Sequence, residues 1–270
     1  MSRSVWAVNI IKKMVPRKFY RSKLMENPGV VRWVEKKLFE GDDLVCLPKD
    51  QVIKVDTAIE EPDSAALPSQ VAEYFVENAS FRWIMNFCIC RDGLGCKDFP
   101  TDKGCVFLGE AARGINPELG REVTKEEALD HLKHCRDLGL VHFVGKSKLD
   151  TVWLKIGPGD KLFTICSCCP CCCITRGVPY SPKVLSDKIS RIPGISVTVT
   201  DECEGCGACV NTCFTEAIQL QGDRAVIGEL CKGCGRCGET CPNDAIEFSI
   251  ENENYVKEAI DRLSQIVDIT

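Results

Sequence analysis

The stretch CEGCGACVNTCFTEAI at residues 203–218 returns as CKGCGRCGETCPNDAI at residues 231–246. Each copy reads C-x2-C-x2-C-x3-C. Four thiols at that spacing suit a loop that wraps an iron–sulfur cube and then starts a helix. Gly205, Gly207, Gly233 and Gly235 let the backbone pass close to inorganic sulfide and aim N–H groups at it. Ala217-Ile218 and Ala245-Ile246 are expected to pack the following helices against the clusters. Paired C-x2-C spacings also suit zinc, but the doubled four-cysteine pattern with interleaved glycine favours iron–sulfur.

These residues closely resemble the bacterial two-cluster ferredoxin domain, over residues 194–250. In that family the fourth cysteine of each run serves the other cluster. The resemblance therefore implies two [4Fe–4S] clusters, one on Cys203, Cys206, Cys209 and Cys241, the other on Cys231, Cys234, Cys237 and Cys213. One departure stands out. Pro242 follows the last cysteine of the second run, but Phe214 takes that place in the first, where it is expected to keep the turn and cover the cluster with an aromatic face.

A second concentration lies upstream. Ten cysteines, Cys88, Cys90, Cys96, Cys105, Cys166, Cys168, Cys169, Cys171, Cys172 and Cys173, crowd into two short stretches, CICRDGLGC and FTICSCCPCCCITRG, and one isolated position. In an extended strand residues two apart share a face, so Cys88 is expected to converge with Cys90, and Cys166 with Cys168. Adjacent cysteines diverge, so they serve separate centres or need an irregular loop, and Pro170 suggests a bend. One or two further iron–sulfur clusters are expected here. A zinc thiolate site and a redox-active dithiol are the weaker alternatives, and spacing does not choose the pairing. Arg91 reads equally as a partner for thiolate charge or as a solvated residue. Cys46 and Cys135 read as buried small hydrophobes, and His131 and His134 as ordinary surface or core residues. The CxCR start, the TKEEAL…GLVH helix and the CxCCxCCC end of residues 80–175 also resemble a group of iron–sulfur proteins of anaerobes, often fused to a two-cluster ferredoxin.

Twenty cysteines in 270 residues bear on the compartment. Secreted disulfide scaffolds are usually much shorter and follow a signal peptide. The apolar run SVWAVNII is short and soon meets Lys12 and Lys13, so no signal peptide is expected, and no run is long enough to span a membrane. A reduced cytoplasmic setting follows, with peripheral membrane association left open. The net charge of −5 gives no reason to expect nucleic-acid binding. Residues 1–40, however, hold ten Lys or Arg against three Glu, a basic segment suited to an acidic partner or an anionic membrane surface.

The fold class expected is α+β, in four segments: a basic, amphipathic part at 1–60, a cysteine-rich metal-binding domain of mixed helices and strands at 61–193, the ferredoxin-like unit at 194–250 and a C-terminal helix at 251–270. NPGVVRWVEKKLFEG places Val30, Val31, Val34 and Leu38 on one helical face. EEPDSAALPSQ (60–70) reads as a linker, SQVAEYFVENA as a helix capped by Ser69, and FRWIMNFCICR as a strand. TKEEALDHLKHCRDLG carries a capping box in Thr124 and Glu127 and a stop at Gly139. TVWLKI and KLFTICS read as two strands joined by the turn GPGD, loosely like a winged helix but without basic accompaniment.

No phosphate loop, dinucleotide fingerprint or nucleophile–base set occurs. The function expected is that of an iron–sulfur electron-transfer protein, a polyferredoxin-like carrier or a subunit of an anaerobic redox complex. It would exchange single electrons with redox protein partners. The alternative is a ferredoxin-fused reductase whose N-terminal cluster is catalytic. A cluster-delivery or maturation factor is a third, weaker reading.

Overall fold

A seven-stranded sheet organises the molecule. The structure is a computed structural model that describes residues 2–14, 23–53 and 66–270. The strands are β1 (Asp43–Cys46), β2 (Arg82–Met85), β3 (Val106–Leu108), β4 (Gly120–Glu122), β5 (Val141–Lys146), β6 (Phe163–Cys168) and β7 (Ile189–Arg191), in the order β4-β2-β3-β6-β5-β1-β7. Neighbours are antiparallel except β1 and β7, which run parallel. The central strands β5 and β6, VHFVGK and FTICSC, are rich in β-branched and aromatic residues that suit a pleated surface buried on both sides.

Alternation along the strands gives the two faces different partners. Ile84, Val106, Leu108, Val144, Phe163 and Ile165 point to one side. There they meet α3 (Ser69–Asn78), α5 (Lys125–Asp137) and α10 (Tyr255–Ser264) through Phe75, Leu132 and Leu263. Phe75 stacks on Phe163 with ring centroids 4.1 Å apart. Trp83, Met85, Cys105 and Phe107 point the other way, towards α1 (Val5–Met14) and α6 (Lys148–Leu154), where Val8, Trp153 and Leu154 pack. The α2 helix (Pro28–Val34) continues as a π-helical turn over Glu35–Phe39, and Val34 packs with Leu185 of α7 (Lys183–Ser186).

Residues 195–250 add two small sheets. Strand β8 (Ile195–Val199) pairs with β11 (Ile246–Ile250), and β9 (Ile218–Gln221) with β10 (Arg224–Ile227), all antiparallel. Two short helices, α8 (Ala208–Thr212) and α9 (Arg236–Thr240), fall inside the two cysteine runs. The chain is thus α+β. Strand β1, from the first expected segment, lies between β5 and β7 of the second, and an isolated bridge joins Ile53 to Phe248.

The α5 capping box is present: Thr124 Oγ1 accepts the Glu127 N–H at 3.2 Å, and the Glu127 carboxylate accepts the Thr124 N–H at 2.9 Å. Gly139 lies at φ +79° beyond the helix end. Four expectations are corrected. Ser69 is the first residue of α3 and not its cap; the Asp50 carboxylate, distant in sequence, accepts the Ser69 N–H at 3.0 Å. Strand β2 stops at Met85, and Cys88 begins the short helix α4 (Ile89–Gly93), its carbonyl accepting the Asp92 N–H at 2.9 Å. TVWLKI is not a strand, because residues 148–154 form α6, capped by Ser147. Ile218 and Ile246 open strands, not helices. Residues 60–65 of the expected linker, and Arg17, Lys18 and Arg21 of the basic segment, lie outside the described residues.

Candidate metal centres

The two cysteine runs adopt matching backbones. Gly205 and Gly233 both lie at φ +66°, the left-handed region that glycine enters without steric cost. A Cβ on Gly205 would sit 2.7 Å from the Asp223 carbonyl carbon. Cys203, Cys206, Cys209 and Cys241 line one hollow of about 10 Å³, closed by Leu220, Ala225 and Ala245. Backbone N–H groups point at sulfur in both runs: Ala225 to Cys203 at 3.4 Å, Ala245 to Cys241 at 3.3 Å, Gly233 to Cys231 at 3.4 Å and Ala217 to Cys213 at 3.3 Å.

Cys213, Cys231, Cys234 and Cys237 gather in the same way. Burial first, and then the neighbouring Cys231 and Cys213, push the Cys234 thiol up to about 11. Cys237 is raised by burial and by the other three. The ends of the unit differ. Cys206 is exposed and Pro242 faces solvent. Phe214 is buried and meets Phe143 edge to face at 6.0 Å, so it packs on the main sheet as well as covering the loop.

The ten upstream thiols separate into two groups. Cys96, Cys169, Cys171 and Cys172 hold their sulfurs within 4.8 Å of one another, with Cys96 and Cys171 at 3.5 Å. The Cys172 N–H points at Cys169 Sγ at 3.2 Å. Burial opposes the Cys96 thiolate, but bonds from Cys171 and from the Phe99 and Asp98 N–H groups hold its pKa below the usual range. The bend at Pro170 lets these adjacent cysteines face Cys96, on the loop that follows α4.

The other six form a chain of contacts on the second sheet face. One residue beyond the Val106–Ile165 pair of β3 and β6, Cys105 meets Cys166 at 3.4 Å. Cys166 contacts Cys168, Cys173 Sγ lies 3.0 Å from Cys168 Sγ, and Cys90 joins Cys173 to Cys88. Cys88 and Cys90 thus converge, but through a helical turn, not a strand. The bond from Cys90, against burial and with help from Arg91, lowers the Cys88 thiol to about 7. Bonds from Cys168 and Cys90 take Cys173 well below its ordinary value.

Arg91 is fully buried beside them. It donates to the carbonyls of Pro100 at 2.8 Å, Ser167 at 2.6 Å and Lys103. Burial works against its charge, and Cys88, Cys168, Cys105 and Cys169 more than offset that. A buried guanidinium among thiols favours thiolates, the form that binds metal.

The six thiols line part of a cavity of about 230 Å³. Asp42 and Asp150 reach it. Burial raises the Asp42 carboxyl to about 7, against the Lys148 N–H it accepts, and burial also raises Asp150, which accepts from Trp153 Nε1 and Thr164 Oγ1. Neither carboxylate carries a sequence signal, since each acquires its role from distant elements.

The singled-out histidines and outlying cysteines take separate places. His131 Nε2 lies 3.0 Å from the Gly104 carbonyl oxygen and 3.7 Å from Cys135 Sγ, and His134 is exposed. Cys135 is buried with Leu140. Cys46 is buried too, but between the groups: it packs with Phe143, Phe214, Cys166, Cys168 and Cys234. Sequence reading gave it packing alone. In the sheet Cys46 pairs with Phe143, and Phe143 with Cys166.

Residues 208–251 match the family model of the LdpA Fe–S cluster-binding domain. Comparison with curated proteins and with solved structures found no match. The matched segment and the gathered thiols indicate an iron–sulfur protein. An all-thiolate donor set is soft and suits iron–sulfur chemistry or zinc, not magnesium or calcium. No helix among the described residues is long and apolar enough to cross a membrane.

Proposed function

We propose that the chain is an iron–sulfur electron-transfer protein in which a ferredoxin-like unit exchanges electrons with an upstream centre. Cys203, Cys206, Cys209 and Cys241 would hold one [4Fe–4S] cluster, and Cys213, Cys231, Cys234 and Cys237 the other. Cys88, Cys90, Cys105, Cys166, Cys168 and Cys173 would supply the ligands of a third. Bound clusters supply one-electron chemistry; the chain supplies thiolates, N–H groups that tune the potential, and apolar cover.

The compact group takes a different role in this reading. A zinc ion with Zn–S bonds of about 2.3 Å sets its ligand sulfurs about 3.8 Å apart. The close approach of Cys96, Cys169, Cys171 and Cys172 supports a single ion there, which pins the bend holding Cys168 and Cys173.

The observation that carries the proposal is the contact between the two parts. Phe214, next to Cys213, meets Phe143, the cross-strand partner of Cys166. Arg236, between Cys234 and Cys237, donates to the Cys168 carbonyl at 2.8 Å. The exposed Cys206 marks the outer end, where a redox protein partner would dock, and the buried Phe214 marks the inner end. The basic N-terminal segment is a second docking surface in this account, for an acidic partner or an anionic membrane surface. The setting is cytoplasmic and oxygen-poor.

Reductive EPR on single variants tests the assignment. Cys203→Ser and Cys241→Ser should erase the same signal although they lie in different runs, and Cys213→Ser should erase the other. Loss of different signals from Cys203→Ser and Cys241→Ser would refute the crossed ligand sets. The reductase alternative draws support from the cavity beside the six thiols.

A further inference from the structure

We propose that the cavity beside the six thiols is a preformed binding chamber for a small, uncharged, largely apolar organic molecule about the size of one aromatic ring. The inference deepens the reductase alternative and rests on reading those thiols as the site of an iron–sulfur centre.

The first argument is volume. By the same measure, the hollow inside Cys203, Cys206, Cys209 and Cys241 is about 10 Å³ and the upstream cavity about 230 Å³. An apolar cavity of about 150 Å³ holds benzene; the upstream cavity exceeds that and extends from the six thiols to Leu149, Trp153 and Val178.

The second argument is where the space lies. The six thiols line part of it, and so does Arg91. The sheet supplies a wall through Leu44, Phe143 and Ile189, residues that share the face carrying Cys166. Leu149 and Trp153 of α6 and Val178 lie around the same space. A molecule held there lies against apolar carbon on these sides and near sulfur on another.

The third argument is chemistry. The lining is overwhelmingly carbon and sulfur. Sugars and nucleotides would lose their hydrogen bonds to water without replacement, at a cost that excludes them. Polar groups are confined to a few positions, Asp42, Asp150 and Lys188 among them. Such a pocket, apolar with a few convergent polar groups, is the ordinary form of a small-molecule site. Met14, at the exposed end of α1, borders it, and so does Phe39 of the π-helical turn.

The test uses the full chain, purified without oxygen, and 4-fluorotoluene as the probe, followed by fluorine NMR with metals counted on the same sample. The expected result is saturable broadening of the probe line with one site per chain. Leu149→Trp and Ile189→Trp fill the chamber from different elements and should each weaken binding at least tenfold with iron content unchanged. The probe should also shift the EPR signal of the upstream centre while leaving both ferredoxin-type signals in place. No saturable binding up to the solubility of the probe, in wild-type protein that carries its upstream iron, would overturn the chamber. So would equal binding by both filled variants. Saturable binding without upstream iron would uphold the chamber and refute the reading of the six thiols, so the two failures are distinct.

Discussion

Arg91 brings a guanidinium into the interior and satisfies it with carbonyls from Pro100, Lys103 and Ser167, on two separate stretches of chain. Lysine would keep the charge but lose the planar fork that reaches all three. Arg91→Lys should therefore cost about 3 kcal/mol, lowering Tm by roughly 6–12 °C in a chain of this size and releasing iron from the upstream centre first. A thermal scan with iron release checks this; unchanged Tm and iron would contradict it. Asp42 gives a pH signature. Its carboxyl is raised to about 7 by burial, whereas the unfolded chain releases that proton near 3.8. Between those values the folded state holds the extra proton, so this group's stabilisation is present at low pH and lost as pH rises through 7. The slope is at most about 1.4 kcal/mol per pH unit. Asp42→Asn keeps the oxygen that accepts the Lys148 N–H and removes the titration. Melts from pH 5.5 to 7.5 should show wild-type Tm declining relative to the variant, and parallel curves would refute the assignment.

At the scale of elements, what could be read locally depended on whether the determinants were local. The α5 helix was legible because Thr124 and Glu127 close a capping box within four residues and Ala128, Leu132 and Cys135 line one buried face. Thr124→Ala should cost about 1 kcal/mol, seen as a Tm lower by about 2–4 °C with metal content unchanged; metal loss would mean the cap supports the centres as well. The α6 helix was not legible. Its Thr151, Val152 and Trp153 have strand propensity, and its Asp150 carboxylate accepts from Thr164 of β6 as well as from Trp153 within the helix. The Cys88–Cys90 pair likewise converges because α4 turns there. The matched runs were legible from spacing and glycine alone, whereas the division of ten upstream thiols into four and six depended on Pro170 bending the chain and on the register of β3 against β6.

For the whole molecule, the placement of residues 195–250, the proposed ferredoxin-like unit, gives the account its direction. Lys232 is buried and donates to the Ser186 carbonyl at 3.1 Å, Lys49 pairs with Glu239, and the Lys49 N–H bonds to the Cys234 carbonyl at 3.3 Å. These contacts, with Arg236 on Cys168, fasten the inner end of the unit to the main sheet, and the C-terminal helix returns to the same sheet through Arg262 and Asp43. An unanchored ferredoxin-like unit would need none of them. The most direct test is the amount of iron, acid-labile sulfide and zinc per chain after anaerobic purification. The account predicts about 12 iron and about 12 sulfide, from three four-iron clusters, together with about one zinc on the compact four-thiol site. A chain that binds only zinc and releases no sulfide on acidification would contradict it.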